Sequence, residues 1–71
     1  MSPQVKREAE AIVKMYGKEG IERGFRERDM DVCRNLRFLG GLTRWPKDPD
    51  KYPAHILEFD AMEALRELGL R

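Results

Sequence analysis

Pro46, Pro49 and Pro53 fall within eight consecutive residues, and the segment that carries them, PKDPDKYPA, splits this chain of 71 residues into a long helix-patterned part and a shorter C-terminal part. Proline lacks the backbone N–H and clashes with the preceding turn, so no regular helix runs through the segment, while Asp48 and Asp50 add turn chemistry. Two folds follow from that interruption. It is either a loop between helices or the tip of a β-hairpin.

Upstream, SPQVKREAEAIVKMYG carries Ser2 as a candidate N-cap and Pro3 at the first helical position, where a missing N–H costs nothing. Val5, Ala9, Ile12 and Tyr16 recur at helical spacing with Val13 beside them, and Gly17 supplies a left-handed stop. A second pattern runs through Ile21 and Phe25 and resumes at Val32, Leu36 and Leu39, with RDMD between the two stretches. Asp29 and Asp31 are both suitable N-caps, so the spacing predicts helices over 19–28 and 31–39, the second ended by Gly40 and Gly41. Arg34 and Arg37 then point away from the Val32, Leu36, Leu39 seam.

Downstream, LTRW and HILEF flank the proline segment, and Thr43, Trp45, Ile56 and Phe59 are good strand formers. Asp60 and Glu63 have the spacing of a capping box, which predicts a last helix from Asp60 carrying Ala61, Ala64, Leu65 and Leu68, closed by Gly69. The expected fold is therefore α+β and mostly helical: three helices, a β-hairpin and a C-terminal helix, in one domain over 1–71. The alternative is an all-α bundle in which a helix runs from Ala54 to Leu68, with Leu57, Ala61, Ala64, Leu65 and Leu68 on one face and Ile56 and Phe59 off it.

The expected order is that of a winged helix-turn-helix domain. Gly41-Leu42, Asp48-Pro49-Asp50, Ile56-Leu57 and Ala64-Leu65 stand where the wing region of MarR-type regulators has a Gly-Leu, an Asp/Pro-rich turn, a short apolar return strand and a capped helix. Residues 41–68 resemble that region in composition. The preceding part departs from the family pattern, with Phe25 and Asp29 near the places of a small residue and a turn glycine. The resemblance implies a module that contacts DNA in a regulatory role, through Arg34, Asn35 and Arg37 on the recognition helix and Lys47 and Lys51 on the wing. Arginine forks suit phosphate and guanine edges, asparagine pairs with adenine, and lysines reach the backbone beside the groove.

Charge gives that reading only thin support. The chain carries 14 Lys and Arg against 13 Asp and Glu, and even the arginine-rich stretch 21–45 has an excess of just two positive charges. The second reading is a protein-interaction module, an adaptor or an inhibitor of a larger assembly. Phe38 lies off the seam between arginines, and Trp45 and Tyr52 extend an Arg/aromatic surface of the kind that protein interfaces favour. The C-terminal stretch 52–71 has two excess negative charges, so opposite-signed ends also allow a homodimer. A chain this short buries about 60% of the surface its unfolded form exposes, and a partner or second copy would add to a marginal core.

Chemistry has little to work with. His55 is the only histidine, Ser2 and Thr43 the only aliphatic hydroxyls, and Cys33 the only cysteine, so neither a nucleophile–base pair nor a Cys/His zinc site is expected. No catalytic residue, metal ligand or cofactor is assigned. The longest apolar runs are a few residues, far below the roughly 20 that span a bilayer, and the expectation is a cytoplasmic protein without a membrane partner.

Overall fold

A computed structural model describes residues 2–44 and 51–71. The elements are α1 (Pro3–Glu27), α2 (Met30–Thr43) and α3 (Ala54–Glu67). No residue among those described is in a strand.

Local signals set the ends of α1 and α2. The Ser2 hydroxyl accepts a hydrogen bond from the Val5 N–H at 3.2 Å, ahead of Pro3 in the first turn. Gly17 leaves helical geometry at φ 74° and ψ 163°, a conformation that glycine adopts without a Cβ penalty, so α1 is two helical stretches joined at a kink. Arg28 ends α1 in the left-handed region at φ 61°, and the next N–H, that of Asp29, bonds the Gly24 carbonyl at 2.8 Å. Asp29 then caps α2, its Oδ1 accepting from the Val32 N–H at 3.1 Å. The expected turn at RDMD is therefore present, with Asp29 as the cap.

α2 is the central element and packs on both neighbours. It runs antiparallel to α1: Gly24 meets Val32, Tyr16 reaches Asn35, and Ser2 to Val5 border a cleft with Leu42 and Thr43. The core is Val5, Ala9, Ile12 and Ile21 from α1, Val32, Leu36 and Leu39 from α2, and Ala61, Met62, Ala64 and Leu65 from α3. The seams read from sequence spacing supply nearly all of it.

The β-hairpin is the expectation that fails. Thr43 belongs to α2, and His55, Ile56, Leu57, Glu58 and Phe59 all lie in α3, so the arrangement is the all-helical bundle. The turn tip at 45–50 lies outside the described residues. Pro53 is the N-cap of α3, and its carbonyl accepts from the N–H groups of Ile56 and Leu57. With Pro53 supplying the start, Asp60 does not cap a helix; it pairs instead with Arg44, whose guanidinium also lies 4.1 Å from the centre of the Tyr52 ring. At the other end Gly69 turns left-handed at φ 73°, and the Leu70 N–H bonds the Leu65 carbonyl at 2.9 Å, the stop expected there.

The second correction concerns Gly40 and Gly41, which do not end α2 but lie inside it. At Gly40 the reason is contact with α3: a Cβ there would fall 1.8 Å from the Leu57 carbonyl oxygen, so the two backbones touch where Gly40 has no side chain. Gly40→Ala is expected to push α2 off α3 and destabilise by about 3 kcal/mol or more, at the upper end of overpacking effects. Urea unfolding followed by circular dichroism measures this directly.

Candidate functional site

Along α3, positions 58, 61, 62 and 65 share one side at helical spacing, and three of them are the core residues Ala61, Met62 and Leu65. The fourth is Glu58, which has no solvent-exposed surface. A carboxylate in that position must be paired and hydrogen-bonded to be tolerated. Arg28 Nη2 donates to Glu58 Oε1 at 2.8 Å and to Oε2 at 3.0 Å, and Arg37 Nη1 donates to Oε2 at 3.1 Å. Glu58 thus joins the α1–α2 turn, the middle of α2 and the first half of α3. The hydrogen bond from Arg28 to Glu58 holds the Arg28 guanidinium protonated above its ordinary range.

Cys33 is buried beside this cluster, its thiol 3.9 Å from the Gly24 carbonyl oxygen. Burial pushes the Cys33 thiol above its usual value, opposed by the charge of Arg28. It is a core thiol without the accessible thiolate that reactive cysteines need. Among the described residues no group of three His, Cys, Asp or Glu side chains is placed to hold a metal ion, and no helix is long and apolar enough to cross a membrane.

The residues singled out for DNA or partner contact divide sharply. Arg37 is committed to Glu58. The Asn35 side-chain amide donates to the Tyr16 hydroxyl at 3.0 Å and to the Asp31 carbonyl at 2.8 Å, which engages the donors an adenine would need. Arg34 faces solvent, with Asp31 at 3.9 Å and both side chains more than half exposed. Phe38 is 56% exposed. Lys51 is exposed just ahead of α3, and Trp45 and Lys47 lie outside the described residues.

One neighbour of this set was not anticipated. Met30, 68% exposed, lies eight positions before Phe38 on α2, so Met30, Arg34 and Phe38 form one i, i+4, i+8 ridge on the side turned away from the core. The next step of that ridge is Leu42, half-buried, which lines an open cleft of about 750 Å³ with Pro3, Val5, Thr43 and Glu67. The other exposed large apolar side chains, Met15 and Phe59, lack such company. One turn away on their own helices stand Ala11 and Glu19, and His55 and Glu63. Isolated exposures of that kind are ordinary; an aligned pair on one helix is not.

Sequence reasoning missed Glu58 because a strand over 55–59 sets it beside Ile56 and outside any apolar stripe, and it missed Arg28 because no local pattern marks a partner 30 residues away. The available signal was the 58, 61, 62, 65 spacing, which puts one carboxylate in an otherwise apolar stripe. No protein family, curated protein or solved structure matches this chain.

Replacing Glu58 separates charge from packing. Glu58→Gln leaves a buried amide facing two arginines and is expected to destabilise by about 2 kcal/mol. Glu58→Leu is expected to be milder than Glu58→Gln, because both arginines are exposed enough to turn into water while leucine packs beside Ala61 and Met62. Thermal and urea unfolding of the two variants side by side gives the order.

Proposed function

We propose that this protein is a small non-enzymatic interaction module that presents the outer face of α2 to a protein partner. The observation that carries the reading is the ridge of Met30, Arg34 and Phe38, an arginine between two large exposed apolar side chains on a helix whose opposite side is core. Aromatic, Met and Arg side chains are the types enriched in protein interfaces, and helix faces bind grooves through anchors at such spacing.

The same geometry weighs against base reading as the main role of α2. Two of its three polar candidates are engaged within the fold, Asn35 through its amide nitrogen to Tyr16 and Asp31, and Arg37 through Nη1 to Glu58. Arg34 alone is a slender phosphate track, and two apolar side chains beside it suit a protein surface better than a nucleic-acid backbone.

A photo-crosslinking amino acid placed at Met30, at Phe38 and, as a control, at Arg23 on α1 tests the reading in the native host. The expected result is one polypeptide captured from positions 30 and 38 but not from 23, with capture lost on Arg34→Glu. Phe38→Ala should weaken that contact by about 2 kcal/mol, roughly 30-fold, while changing stability by less than about 0.5 kcal/mol. Crosslinks to nucleic acid from position 38, or equal capture from all three positions, would overturn it.

A further inference from the structure

We draw no further inference here: the strongest candidate, the basic cleft of about 320 Å³ that Lys18, Arg23, Arg26 and Arg71 border, is also lined by Glu22, which stands one turn from both Lys18 and Arg26 and accepts from Arg71 at 2.6 Å, so a carboxylate of the fold itself already takes the place of an anion.

Discussion

Glu58 is a carboxylate buried from water, placed where an apolar residue would be expected, and among the described residues its two oxygens accept hydrogen bonds from Arg28 and Arg37. Those arginines come from the turn after α1 and from the middle of α2, while Glu58 belongs to α3. One buried charge therefore sets three elements in a single mutual position. Hydrophobic contact is non-directional and discriminates between registers less sharply than a paired charge. A buried ion pair adds little net stability over a packed hydrophobe, but it penalises any register that leaves the charge without its partners. That is specificity in a core made mostly of small and aliphatic side chains.

Two backbone features follow from the same clamp. Arg28 sits at φ 61°, where L-residues are disfavoured and glycine or asparagine would be the usual choice. A glycine would relax the turn but could not reach Glu58, so the turn keeps its strained residue for its side chain. One turn beyond Arg37 on the same face of α2, Gly40 lets the backbone approach the Leu57 carbonyl, one residue from Glu58. Close approach at Gly40 brings Glu58 within range of Arg37 as well. A larger residue at 40 would lengthen that ion pair even if the helices themselves survived.

This interplay explains what the sequence could and could not reveal. Ser2 with Pro3, Asp29 and Gly69 act through their own or adjacent turns, and each does in the structure what its chemistry predicts; Gly17 breaks helical geometry at positive φ, but as a kink inside α1 rather than a left-handed stop. The apolar seams of α1 and α2 were equally legible, since periodicity is a local property. The fate of HILEF was not, because Ile56 and Phe59 favour a strand intrinsically while the helix is favoured by contacts at Glu58, Leu57 and Ala61 that span the chain. The Gly40-Gly41 pair misled for the same reason: a helix continues through it because another backbone occupies the space where a side chain would be. The exposure of Arg34 and Phe38 was legible from their position off the seam. Asn35 and Arg37 looked equally available, and only Tyr16 and Glu58, both distant in sequence, show that they are engaged.

The division of labour on α2 bears on why its outer face is worth attention. Neighbours on two sides bury Val32, Cys33, Leu36, Leu39 and Gly40, Asn35 ties the helix to α1, and Arg37 ties it to α3. Among the described residues Met30 and Phe38 lie outside the core and are more than half exposed. A central helix in a small bundle has one side left over, and Lys, Glu or Gln there would favour both helicity and solubility. Large apolar side chains aligned on that side give up solubility without adding to the core, and this is what favours the proposal that a partner covers them. The ridge need not be large, because a fold whose own core is this small gains in proportion from even a modest additional burial.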